Sequence, residues 1–187
     1  MRNKQFDTAP ASAPAAAPDA DCPWADIAPD GSNLTVEHLP SVPFVRLAEL
    51  FRRNVTASYA DLYELTVPQW RVLALMGHFS PIPFGMLVGF SGSDKALVSR
   101  AARQLEERGL ARVVPDPDGN RKKITWALTP RGLAIYRELM PKAQQRAADI
   151  LNALDREERI TLHRVLGKLE ALCSAPTADD GEDEAER

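Results

Sequence analysis

The feature that most narrows the fold is a single change of hydrophobic period in an otherwise helical chain. From Phe44 onward apolar residues recur at spacings of three and four, the mark of helices with one covered face, and only between Gly109 and Thr129 does the spacing fall to two. Phe44, Leu47, Ala48, Phe51, Val55, Tyr59 and Leu62 share one face of a first long helix. The segment Leu65 to His78 has Thr66 at an N-cap position and Pro68 in the first turn, then runs through VLALM, which predicts a buried central helix.

A short helix in SPIPFGMLVGFSG comes next, then SDKALVSRAARQLEERG, where Ser93 can cap, Asp94 suits the helix dipole and Gly109 terminates. Two helices joined by a tight Gly-containing turn are the skeleton of a helix-turn-helix. LARVV, PDPDGN and RKKITWAL then predict a β-hairpin in which Ile124, Trp126 and Leu128 alternate. Thr129 and Pro130 open another helix, with Pro141 inside it, and Asp155 with Glu158 forms a capping box ahead of a last helix that reaches Cys173. The fold class is therefore mainly α with a small β-hairpin.

The ends differ from this body. Nine alanines and five prolines make up almost half of residues 1–30, too little apolar surface to offset ordering entropy, so residues 1–37 read as a mobile extension in which DCPWADI can dock as a short arm. Residues 174–187 carry six acids and one arginine, an acidic disordered tail. The formal net charge of −3 falls on that tail, and residues 38–173 form the folded body. No run of apolar residues is long enough to span a bilayer and no secretory leader is visible, which predicts a cytoplasmic protein without membrane contact.

The helix opened by Ser93 carries the chemistry. About 100° per residue puts Leu97, Ala101 and Leu105 on one side and Lys95, Ser99 and Arg103 on the other, with Arg100 beside them. Lysine and arginine suit phosphates and base acceptors, and the small Ala96 and Ser99 allow approach to a base edge, as major-groove reading requires. Between Lys95 and Lys123 eight bases face four acids, and Arg121 at the hairpin tip suits a narrow minor groove.

Other chemistries fit poorly. GFSGS lacks the second glycine of a nucleophile elbow and no strand precedes it; no phosphate-binding glycine loop occurs, so no enzyme and no cofactor are expected. His38, His78 and His163 are widely spaced, and Cys22 and Cys173 have no ligand partner at metal-binding distance in sequence, so no metal is expected and both thiols read as unreactive.

LTVPQWRVLALM, followed by SDKALVSRAARQLEERGLARVVPDPDGNRKKITWALTPRG, resembles the MarR family of bacterial winged-helix transcription regulators over roughly residues 40–173. The resemblance implies a homodimer built on its first and last helices, with a winged helix-turn-helix in each lobe on double-stranded operator DNA. It puts Ser93, Lys95, Ala96, Ser99, Arg100 and Arg103 at the recognition helix and Asn120, Arg121 and Lys122 on the wing, with Asp116 and Asp118 orienting wing arginines. The family often has DPDDRR where this chain has Asp116 to Arg121 with Gly119-Asn120, so one wing arginine is replaced. It also implies a small aromatic carboxylate as effector, for which Phe51, Tyr59 and Trp70 offer ring walls, Arg46 or Arg52 a carboxylate partner and His78 a hydrogen bond. The expected function is a repressor released from a pseudo-palindromic operator; the competing reading is a helical dimer that serves as a protein-interaction adaptor.

Overall fold

A computed structural model describes residues 22–56, 60–115 and 123–174 of the chain. Its elements are α1 (Ser41–Leu50), α2 (Val67–His78), β1 (Ile82–Pro83), α3 (Phe84–Ser91), α4 (Lys95–Glu107), β2 (Ala111–Val114), β3 (Thr125–Leu128), α5 (Pro130–Leu151) and α6 (Arg156–Ser174). Contacts divide the chain into two units, residues 1–146 and 147–187.

In the first unit α2 is the centre, as its near-continuous apolar sequence demands. Thr66 and Gln69 cap it reciprocally: the Thr66 hydroxyl accepts from the Gln69 N–H and the Gln69 side chain accepts from the Thr66 N–H. Val72, Leu73 and Met76 are buried with Leu65, Ile82, Leu87, Val98, Leu105, Leu110 and Leu139. Each such side chain contributes about 1.5–3 kcal/mol of burial.

The sheet has three strands in the order β1-β3-β2, all antiparallel, with Val113 and Ile82 flanking Trp126 from its two sides. The third strand, β1, was not expected; it is two residues long and ends in Pro83, a residue suited to an edge. The expected alternation in β3 also gives way. Ile124 is 54% exposed, while Thr125, Trp126 and Ala127 are all buried, because a strand paired on both edges is here covered on both faces.

The first long helix departs from its expected continuity. α1 ends at Leu50 and the backbone widens into a π-helical stretch, Phe51–Thr56, where Asn54, Val55 and Thr56 are weak helix formers. None of the residues of α1 or of this stretch is buried. Ahead of α1 the Trp24 indole N–H donates to the His38 carbonyl at 2.6 Å, and Asn33 holds Asp26 and Ala28, so residues 22–28 fold back on the start of the body.

In the second unit Asp155 and Glu158 cap α6 reciprocally, as their spacing predicts: the Asp155 carboxylate accepts from the Glu158 N–H at 2.9 Å and the Glu158 carboxylate from the Asp155 N–H at 2.7 Å. α6 has no buried residue, and Ile160, Leu162, Val165, Leu166 and Leu172 are exposed.

Candidate nucleic-acid interface

The DNA-binding candidate is built from α3, the turn Ser91–Asp94 and α4. Gly92 ends α3 in the left-handed region at φ 60°, which a side chain would resist. Asp94, not Ser93, caps α4: its carboxylate accepts from the Leu97 N–H at 2.8 Å, with charge placed favourably at the positive end of the helix. Ser93 is used inside the turn, where its hydroxyl donates to the Ser91 carbonyl and its N–H donates to the Ser91 hydroxyl.

α4 is anchored on Val98, Ala101, Ala102 and Leu105. Leu97, expected among the anchors, is only half-buried, so the helix is rotated slightly from the expected setting. Its outermost residues are then Ala96, Arg100, Arg103 and, in the last turn, Glu107, with Lys95 exposed on the flank and Ser99 half-buried. Among the described residues neither Lys95, Arg100 nor Arg103 takes part in a salt bridge, which leaves these cations available to an anionic surface.

The rear of α4 is tied down at several points. Gln69 donates from α2 to Gln104 at 3.0 Å, and Arg108 donates to the carbonyls of Glu64 at 2.9 Å and Tyr63 at 2.8 Å. The LTPRG segment continues the anchorage: the Thr129 hydroxyl donates to the Gly109 carbonyl at 2.7 Å, the Thr129 N–H donates to the Leu110 carbonyl at 3.0 Å, and Arg131 donates to the Arg108 carbonyl at 3.2 Å. Gly132 is where α5 passes closest, since a Cβ there would collide with the Leu110 carbonyl. The residues of that motif are thus positioning groups that set the angle of α4.

Arg112 and Lys123 are exposed at the base of the hairpin, and Asp116, Asp118, Asn120, Arg121 and Lys122 lie outside the described residues.

A second feature of the first unit is a groove of about 410 Å³ lined by Thr56, Trp70, Arg71, Ala74, Leu75, His78, Phe79, Tyr136 and Met140. Of the residues considered for an effector, Trp70 and His78 line it. Tyr59 lies outside the described residues. Arg46, Phe51 and Arg52 are not among its lining residues: they are exposed on α1 and the stretch after it, and Arg52 is held by Glu49, whose carboxyl the Arg52 hydrogen bond draws below the usual glutamate range.

The cation in the groove is Arg71, which sequence reasoning missed although it follows Trp70 directly and shares a helix with His78. Tyr136 was missed too; the mid-helix Gly77 was its signal, because the Tyr136 ring lies so close that a Cβ on residue 77 would sit 2.5 Å from it. Beside the groove His78 meets Phe79 edge-on at 4.4 Å and Phe79 stacks on Phe90 at 4.8 Å.

Cys22 and Cys173 are both free and exposed, and no group of metal-ligating side chains comes together among the described residues. Among those residues no helix is long and apolar enough to cross a membrane.

Comparison with known proteins agrees with this geometry. The model of the MarR family matches residues 65–123, from the start of α2 to the base of the hairpin. The chain is 27% identical over 126 residues to the transcriptional regulator HosA of Escherichia coli O111:H-, covering 67% of this chain and 93% of HosA. It is 27% identical over 106 residues to the HTH-type transcriptional repressor NicR of Pseudomonas putida, covering 57% and 66%. Among solved structures, the C80S variant of MarR from E. coli complexed with operator DNA is 20% identical, with a TM-score of 0.60 over 71% of this chain and 95% of that one. NadR in complex with 4-hydroxyphenylacetate is likewise 20% identical, with a TM-score of 0.60 over 73% and 96%. At that identity these two structures speak for the winged-helix fold.

Proposed function

We propose that this chain, similar over residues 65–123 to the MarR family of transcriptional regulators, is a homodimeric repressor of that family, released from operator DNA by a small aromatic carboxylate. The observation that carries the DNA half is the outward face of α4, where Ala96, Arg100 and Arg103 stand opposite the buried Val98, Ala101, Ala102 and Leu105. A helix face with two arginines and a small residue in its first turn fits a major groove, the arginines meeting phosphates or guanine edges. The same reading gives the minor-groove contact to Asn120, Arg121 and Lys122, between β2 and β3 in the sequence, and gives Asp116 and Asp118 the role of orienting the arginine.

Dimerisation is supported by apolar surface that a lone chain leaves in water. Val42, Phe44, Val45, Leu47, Leu50 and Phe51 are exposed at the start of the body, and α6 exposes its own apolar row. Exposed apolar rows of this kind mark association sites. Two copies then set two α4 helices at half-sites about one helical turn apart.

The effector reading is supported by the groove, whose volume suits a small ligand and whose lining includes the rings of Trp70, His78 and Tyr136 together with the cationic Arg71. A relative named as a repressor and a fold neighbour bound to 4-hydroxyphenylacetate favour the same assignment. Occupancy favours a setting of the two lobes that no longer matches successive major grooves, and a preference of a few kcal/mol for that setting suffices.

The test is selection of duplexes from a random pool by the purified chain. An inverted repeat with half-site centres about 10 base pairs apart, bound by two chains, is expected. Failure to enrich any sequence above the starting pool would overturn the proposal.

A further inference from the structure

Arg71 belongs to two places at once. It lines the groove beside Trp70, His78 and Tyr136, and its Nη1 donates to the Ser91 carbonyl at 3.3 Å and to the Ser93 hydroxyl at 3.4 Å. Those acceptors form the turn that immediately precedes Asp94, the cap of α4. The turn has its own internal frame: the buried Ser91 hydroxyl donates to the Val88 carbonyl at 2.9 Å and accepts from the Ser93 N–H at 3.2 Å. Arg71 is the strut that joins this frame to α2.

We propose that Arg71 is both the carboxylate-binding residue of the groove and the positioning residue of the turn, so that an aromatic carboxylate releases DNA by drawing the guanidinium away from Ser91 and Ser93. The proposal rests on the effector reading above and adds the route by which occupancy reaches α4. Both contacts to the turn are near the upper limit of hydrogen-bond length and go to uncharged acceptors. A carboxylate offers a shorter, charge-assisted and bidentate partner, and among the described residues no acid already forms a salt bridge with Arg71.

The competition therefore favours the ligand. With its ring against Trp70, Tyr136 and Met140, the ligand presents its carboxylate to Arg71, and a shift of about 1 Å takes both turn contacts out of range. The N-terminus of α4, with Lys95 and Ala96 in its first turn, then loses a fixed support.

The experiment compares the full-length protein with Arg71→Gln, using the selected duplex and four probe acids: benzoate, 4-hydroxycinnamate, nicotinate and 4-hydroxyphenylacetate, each with its uncharged amide. Calorimetry reads acid binding, anisotropy reads duplex affinity, and hydrogen exchange reads the amides of residues 92–97. In the wild type at least one acid binds, weakens duplex binding about tenfold and raises exchange at 92–97, and its amide does none of these. Arg71→Gln binds that acid at least tenfold more weakly. Without any ligand it already shows the weakened duplex affinity and raised exchange, and the acid changes neither.

A variant that loses acid binding yet keeps wild-type duplex affinity and exchange makes Arg71 a ligand contact only, and the link is overturned. Failure of all four acids to bind the wild type overturns the effector reading instead, and the ligand-free arm of Arg71→Gln then decides the strut by itself.

Discussion

Gly132→Ala puts the anchorage of α4 under direct strain, and its cost can be worked from the packing. The new Cβ would fall on the Leu110 carbonyl, 2.9 Å from its carbon and closer still to its oxygen, and backbone cannot swing aside as a long side chain can. Relief requires the first turn of α5 to back away from the end of α4. That motion stretches three bonds: Thr129 N–H to Leu110, the Thr129 hydroxyl to Gly109, and Arg131 to Arg108. At about 1 kcal/mol net each, the loss is about 3 kcal/mol. Alanine returns up to about 1 kcal/mol of helix propensity, leaving a net destabilisation of about 2 kcal/mol. For a chain of this length, that lowers Tm by about 4–8 °C. Gly89→Ala is the matched control, an exposed mid-helix glycine whose added Cβ would meet nothing within 4 Å, and it should gain up to about 1 kcal/mol. Urea unfolding at one fixed protein concentration reads both. Equal stability of the two variants would refute the argument that the close approach at Gly132 fixes α5 against α4.

The Tyr63 phenol, raised above its ordinary value by its hydrogen bond to Glu138, stabilises the fold below about pH 10 and loses that contribution as pH climbs through the raised value. The stability gap between wild type and Tyr63→Phe should therefore narrow above pH 10 in chemical unfolding; a gap that widens there contradicts the assignment. Arg100→Ala and Arg103→Ala should each weaken duplex binding about 5- to 100-fold at fixed salt, with unchanged Tm because both side chains are exposed. Phe44→Glu with Leu47→Glu should yield monomers by sedimentation, since both residues belong to the exposed apolar surface of α1. Unaltered mass would remove α1 from the dimer contact.

Strong local signals in the sequence carried most of the fold. The Thr66 N-cap, the Asp155 capping box and the apolar run of α2 each depend on neighbours within a few residues, and each appears as read. What escaped depends on partners far along the chain. β1 exists because Ile82 pairs with Trp126, and the full burial of β3 follows from that same pairing. The rotation that exposes Ala96 and half-buries Leu97 is set by Gln69 and Arg108, neither of which has periodicity to betray it. The groove was half legible: Trp70 and His78 stood out as an aromatic and a titratable residue on one helix, whereas Arg71 is marked only by its contacts to Ser91 and Ser93, about twenty residues along the chain. Arg46 and Arg52, read from the first helix, are not among the residues that line the groove: Arg46 is exposed and Arg52 is engaged with Glu49.

The central claim is that α4 lies against a duplex with its cations on phosphates. The most direct measurement is the slope of log affinity against log salt for the selected duplex. Two copies each presenting Lys95, Arg100 and Arg103 from α4 predict a slope of about −5, steepened further by any contact from the hairpin. A slope near zero between low and physiological salt would contradict the claim, whatever the affinity itself proves to be.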